Sequence, residues 1–136
     1  MGRIGIGSQA LGLAQAAMEE AIHYAKQRSA FGQTISNFQA IQFMVADMSS
    51  HIEAARLLLR KAAFLNDRGK PFSREAAEGK AFASDLAVKV ATDALQIRGA
   101  YGYSKDYPIE RIYKVYQIWE GTSQIQRMVI GRDLLK

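Results

Sequence analysis

The stretch NFQAIQFMVADMSSHIEAARLLLRKAAFLNDRG, residues 37–69, decides the fold class. Its apolar residues Ile41, Met44, Met48, Ile52, Ala55, Leu59 and Ala62 recur every three or four positions, which is one face of a helix. No glycine or proline interrupts it before Gly69, and Asn37 is placed to cap its start. The pattern holds for about six turns and ends near Asp67-Arg68-Gly69. A helix of that length with one apolar stripe needs other helices to cover the stripe.

Those helices are readable on both sides. Upstream, Leu11, Ala14, Met18, Ala21 and Ala25 mark a helix from about Ile6 to Gln27, and Ser29 to Ser36 reads as a loop around Gly32. Downstream, Gly69-Lys70-Pro71 is a turn. Ser73 is placed to cap a helix from Arg74 to Gln96, with Ala83, Leu86, Ala87, Val90, Ala91 and Ala94 as its apolar face. Gly79 weakens that helix slightly relative to alanine. The segment from Gly99 to Tyr103 ends it. Pro108 sits where a first helical residue would, opening a short helix from Ile109 to Tyr116. Glu120-Gly121-Thr122-Ser123 breaks the pattern. A last helix takes Gln124 to Leu135, with Thr122 or Ser123 as cap and Ile125, Met128, Val129 and Leu135 turned inward. No segment alternates with period two. The expected architecture is all-α: an up-and-down four-helix bundle with a short additional helix, one domain over residues 1–136.

Composition narrows the function classes. Hydrophobic residues make up 49% and charged residues 23% of the 136, which is globular and not disordered. There is no cysteine, so neither disulfides nor thiolate metal sites are available. His23 and His51 have no partner one turn away, so no metal is expected. No apolar run is long enough to span a membrane, and the first residues do not read as a targeting segment. The net charge is +5, spread from Arg3 to Lys136. Nucleic-acid binders concentrate such charge on one face, so no nucleic-acid partner is expected; phosphorylated small ligands fit a dispersed excess better.

Three places carry residues that a plain bundle does not need. In Gln27-Arg28-Ser29-Ala30-Phe31-Gly32, the arginine could hold a phosphate or simply sit as a cation at a helix end. Between 101 and 119 stand five of the six tyrosines and the only tryptophan, suited to a planar ligand, an interface or core packing. In Trp119-Glu120-Gly121, one carboxylate lies beside a large apolar ring at a break between helices. Apolar surroundings would raise its pKa toward that of a general base, unless the glutamate is an ordinary exposed loop residue.

Taken in order, several segments resemble the C-terminal helical domain of the acyl-CoA dehydrogenases, of the short- and medium-chain kind, flavoenzymes of fatty-acid and amino-acid oxidation. They are Gly2-Arg3-Ile4-Gly5, Tyr24 to Gly32 (YAKQRSAFG), Phe38 to Phe43 (FQAIQF), Ala46-Asp47-Met48, Gln96-Ile97-Arg98-Gly99 with Gly102-Tyr103, Tyr107 to Arg111 (YPIER), and Trp119 to Arg127 (WEGTSQIQR). The resemblance covers essentially the whole chain. It implies oxidation of an acyl-CoA thioester to the 2,3-enoyl-CoA, with Glu120 taking the α-proton while hydride leaves the β-carbon for FAD. It implies FAD contacts at Arg28, Ser29 and Phe31, at Phe38 and Gln39, at Gln96, Ile97, Gly99 and Ala100, and at Thr122, Ser123 and Gln124. The first of these groups would touch the FAD of a neighbouring subunit. It implies substrate contacts at Arg3 and Gly121, an electron-transferring flavoprotein as partner, a homo-oligomer (dimer or tetramer), and residence in a bacterial cytoplasm or the mitochondrial matrix.

The sequence departs from that family in three respects. Ala100 stands where a second glycine or a serine is usual, which brings a Cβ to a position where φ could need to be positive. Three residues, Arg-Asp-Ala, are missing between Tyr113 and Lys114. In a helix this shortens the path by about 4.5 Å and rotates the downstream residues by roughly 60°, which displaces Glu120 from the flavin unless the helix unwinds to compensate. The family's N-terminal helical and middle β-domains have no counterpart in these residues. The chain then reads as a fragment, a truncated isoform or a subunit awaiting its partner, binding FAD weakly or not at all when alone. The alternative is a non-catalytic bundle serving oligomer assembly. A lipid-binding bundle would need a basic face beside an exposed apolar one, at which Arg56, Arg60 and Lys61 only hint.

Overall fold

The computed structural model describes residues 1–104 and 114–136. The elements are α1 (Gly2–Gln27), the two-residue strands β1 (Ser29–Ala30) and β2 (Gln33–Thr34), α2 (Gln39–Asp67), α3 (Ser73–Arg98), α4 (Val115–Ile118) and α5 (Ser123–Leu134). Short 3-10 turns at Ile35–Asn37 and Gly99–Tyr103 lead into α2 and out of α3. The fold is the expected all-α bundle. α3 runs through its middle and packs against α1, α2 and α5, while α1 also packs on α2.

The stripes read from the sequence are the core. Leu11, Ala14, Met18, Ala21 and Ala25 of α1 are buried, as are Met48, Ile52, Ala55, Leu59 and Ala62 of α2 and the six apolar residues assigned to α3. Much of this core is alanine, which lets helix axes approach closely. The tightest contact is at Leu59. A Cβ added to Gly7 of α1 would stand 2.6 Å from Leu59 Cδ2, and one added to Gly79 of α3 would stand 2.9 Å from the same atom. Two glycines on two helices therefore form the seat for a leucine on the third.

Several boundaries differ from the sequence reading, some through local backbone bonds and one through a tertiary contact. α1 begins at Gly2, four residues before the expected Ile6, with the Met1 carbonyl accepting from Ile4 and Gly5. Asn37 does not cap α2: it ends a 3-10 turn, and Phe38 is the cap residue, its carbonyl accepting from Ile41 and Gln42. Ser73 does not cap α3 but is its first residue, and its hydroxyl accepts instead from Arg3 Nη1 at 3.3 Å. Thr122 does cap α5, its Oγ1 accepting from the Ile125 N–H at 3.3 Å. The expected inner side of α5 is turned out: Ile125, Met128 and Leu135 are exposed and Val129 is half-buried. Its buried residues are Ser123 and Gln126, because it lies against a polar stretch of α3. The expected helix start at Pro108 and the position after Tyr113 lie outside the described residues. The expected loop at 29–36 contains the β1–β2 hairpin, pairing Ser29 with Thr34 and Ala30 with Gln33. Phe31 and Gly32 at its tip both have positive φ (52° and 80°), the geometry of a two-residue hairpin turn.

The turn after α2 closes as expected. Gly69 has φ +63°, its N–H bonds the Asn66 carbonyl and the Lys70 N–H reaches the Leu65 carbonyl, satisfying the open end of α2 before Pro71. Next to it, Glu75 is buried and joins three helices. Its carboxylate meets Arg74 at 3.1 Å and Lys61 of α2 at 3.8 Å, while Arg74 also reaches Asp133 of α5 at 3.4 Å. A hydrogen bond from its own backbone N–H, together with Arg74 and Lys61, holds the Glu75 carboxyl below the usual range, although burial pushes the other way. A carboxyl lowered on folding stabilises the fold above its unfolded pKa, and that stability is lost as pH falls through the folded value. Glu75→Gln is therefore expected to lower the Tm near neutral pH by no more than about 4 °C, with the difference from the unsubstituted chain vanishing in acid. Thermal denaturation of both chains across that pH range checks it; a difference that persists in acid would show the effect is not electrostatic.

Candidate active site

α4 is a single turn, and the chain leaves it through Trp119 in an extended conformation. Glu120 and Gly121 then adopt φ +54° and +89° before Thr122 starts α5. This left-handed pair turns the Glu120 side chain toward the N-terminus of α1. There is no Cβ at Gly2 to obstruct it: one built there would lie 2.6 Å from Glu120 Cδ. The carboxylate thus faces a groove of about 620 Å³ lined by Met1, Gly2 and Arg3 of α1, the turn from Gly69 to Phe72, and Ser73 and Ala76 of α3. Arg3 and Glu120, placed at substrate by the resemblance, share this groove. Gly121 lies behind, its carbonyl turned into the protein.

The apolar surroundings expected for Glu120 are not supplied by these residues. Glu120 is exposed, and Trp119, packed edge-on against Tyr116 at 5.9 Å, is itself 51% exposed.

The inner side of the turn is strongly polar. Lys80 of α3, fully buried, donates from Nζ to the Gly121 carbonyl at 2.8 Å. Gln126 of α5, also fully buried, donates from Nε2 to the Glu120 and Gly121 carbonyls at 3.0 and 2.9 Å. Asp85 accepts from Gln117 (2.8 Å), Ser123 Oγ (2.9 Å) and Arg127 (2.7 Å). Burial pushes the Lys80 amine below its ordinary value, and Asp85 opposes that. The sequence reading assigned none of Lys80, Asp85, Gln126 and Gly2 a role. The legible signal was Lys80 itself, a lysine in register with Ala76, Ala77, Ala83 and Ala87.

The residues expected at FAD fall in two places. Thr122, Ser123 and Gln124 line a small pocket with Asp85, Gln117 and Arg127 beside the Glu120 turn, at the N-terminus of α5. The first N–H groups of a helix have no intrahelical acceptor and favour anions. The Ser123 hydroxyl already donates its proton to Asp85. Arg28, Ile97, Gly99 and Ala100 line another pocket, of about 300 Å³, with Tyr24 and Tyr101. Phe31, on the exposed hairpin tip beside it, stacks edge-on with Phe38 at 6.2 Å. Ser29, Gln39 and Gln96 are exposed nearby. The positive φ falls at Gly99 (+62°), with nothing of this chain within 4 Å of where its Cβ would be, and not at Ala100. Alanine at position 100 is therefore compatible with the backbone. Arg3 and Arg28 stand at opposite ends of α1, about 37 Å apart along its axis. The two groups cannot serve one site within one chain.

Known proteins supply an independent comparison. A family model described as acyl-CoA dehydrogenase, C-terminal domain, matches residues 1–135. An acyl-CoA dehydrogenase of Bacillus subtilis is 55% identical over 99% of this chain and 36% of its own length. Subunit CarC of the caffeyl-CoA reductase-Etf complex of Acetobacterium woodii is 50% identical over all of this chain and 37% of its own. The solved butyryl-CoA dehydrogenase of Megasphaera elsdenii matches with a TM-score of 0.97 at 50% identity, covering 98% of this chain and 36% of that one. The chain thus spans a little over a third of the length of these relatives. The match to CarC runs over 139 positions against 136 residues here, so at least three CarC positions lack a counterpart.

Proposed function

We propose that this chain, which belongs to the acyl-CoA dehydrogenase family as its C-terminal domain, supplies the proton-abstracting base and part of two flavin sites of an enzyme acting at the α,β-bond of an acyl-CoA thioester. The observation that carries this reading is the Glu120 carboxylate held against Gly2 in the groove it shares with Arg3. A guanidinium and a carboxylate on one groove suit an anionic thioester substrate and removal of its α-proton. A relative named for an Etf complex supports an electron-transferring flavoprotein as redox partner.

The residues present fit part of FAD. The Arg28 guanidinium beside the open Gly99 backbone suits a phosphate-bearing group, as does the N-terminus of α5 at Thr122 to Gln124. FAD, when bound, accepts the β-hydrogen as hydride. Glu120 takes the α-proton on its carboxylate, and Arg3 orients the substrate beside it. Because the Arg28 and Glu120 groups lie at opposite ends of α1, each chain completes a site in another copy, which makes a homo-oligomer part of the reading. Phe43, Leu57 and Phe64 are each more than half exposed and fall on one side of α2, an apolar surface for such an assembly.

The test is a chimera in which this chain replaces the matching 36% of the Bacillus subtilis relative. The chimera is expected to bind FAD and to bleach its absorbance on anaerobic addition of butyryl-CoA. A chimera that folds and holds FAD but is not reduced by any of a range of acyl-CoA thioesters would favour the non-catalytic bundle.

A further inference from the structure

We propose that Lys80 is a positioning residue for Glu120, locking the turn that carries the carboxylate through its buried ammonium on the Gly121 carbonyl. The inference rests on Glu120 being the base. Two consecutive residues in the left-handed region, the first not a glycine, form a turn that backbone preference alone does not hold. Here two side chains hold it from within, Lys80 from α3 and Gln126 from α5, both with no exposed surface. Burying an ammonium against one backbone carbonyl is unfavourable, and packing alone would be served by methionine. Gln126 Oε1 is buried with no hydrogen-bond partner among the described residues, a further cost borne at the same point.

The rest of the surroundings act in the same direction. Asp85, on α3 beyond Lys80, supplies the opposite charge and grips Gln117 and Ser123 on either side of the turn. In front, Gly2 bounds the space of the carboxylate. The direction of the Glu120 Cα–Cβ bond therefore depends on the two peptides that follow it: Gln126 holds the 120–121 peptide through the Glu120 carbonyl, and Lys80, with Gln126, holds the 121–122 peptide through the Gly121 carbonyl, fixing the downstream side of the turn. A base displaced by about 1 Å can lose about 100-fold in rate.

Lys80→Met keeps the volume and removes the donor; Lys80→Gln restores a donor. In the 136-residue chain, Lys80→Met is expected to speed amide exchange across residues 121–126 about tenfold, leaving Val90 to Ala94 unchanged. In the FAD-loaded chimera, the same substitution is expected to slow α-proton exchange of butyryl-CoA about 10- to 100-fold with KM nearly constant, and Lys80→Gln to recover part of the loss. Unchanged α-proton exchange overturns the proposal, as does a rate loss without loosening of the turn. Should Lys80→Met fold poorly, the unsubstituted chain still decides. A scalar coupling between Lys80 Nζ and the Gly121 carbonyl carbon by NMR supports the contact, and its absence removes it. If Glu120→Gln leaves α-proton exchange intact, the base assignment falls and this inference with it. If only Lys80→Met is silent, this inference alone falls.

Discussion

Glu120→Gln in the FAD-loaded chimera is expected to lower α-proton exchange and acyl-CoA-dependent flavin reduction by about 10²- to 10⁴-fold, the range that a positioned general base contributes. The amide is nearly isosteric with the carboxylate but cannot accept the proton. The Glu120 and Gly121 carbonyls keep their bonds to Gln126 and Lys80, so the turn itself should survive. Substrate binding should change little, because the Arg3–Ser73 side of the groove is untouched. Exchange of the α-proton with solvent deuterium, read by mass spectrometry of recovered butyryl-CoA, separates the base step from hydride transfer. Exchange at the unsubstituted rate would remove Glu120 from the mechanism and leave the assembly-only reading standing.

The largest effect on stability is expected at Leu59. Its side chain is 4% exposed and fills the space left by the absent side chains of Gly7 and Gly79. Leu59→Ala removes three carbons where α1, α2 and α3 meet, and backbones held at this distance cannot collapse far to refill the gap. The expected loss is about 2–5 kcal/mol, or a fall in Tm on the order of 10 °C. Chemical denaturation and calorimetry measure it directly. A fall of only about 1 °C would show that the three helices do not depend on this contact. Gly79 illustrates the same point in reverse. Helix propensity marks it as a weak position, worth about 1 kcal/mol to alanine, yet a Cβ there would press on Leu59.

The helices of this protein were legible because a stripe of apolar residues every three or four positions has one economical burial, against other helices. That reasoning located most of the cores of α1, α2 and α3, although Ile41 and Met44 at the start of the α2 stripe are only half-buried and Ala10, Ala17, Ala76 and Ala77 are buried outside the stripes. It failed at the ends, where competition is local and weak. Asn37 and Ser73 are good caps by type, but a 3-10 turn and Arg3 take them for other work. It failed on the face of α5, where apolar Ile125 and Met128 point outward and polar Gln126 points in, because the inward side must satisfy the carbonyls of the Glu120 turn. It also could not show that the region around Glu120 is open.

The sequence by itself determined the all-α class, the three long helices and the motifs that identify the family, since periodicity and motif order are properties of the chain read in one dimension. Only the tertiary structure decided that Arg3 and Glu120 share a groove while Arg28 and Gly99 lie at the far end of the bundle. It also decided that Lys80, a residue with no motif around it, reaches the carbonyl behind the carboxylate. These are relations between residues up to about 117 positions apart in sequence, and helix packing, not local preference, sets them.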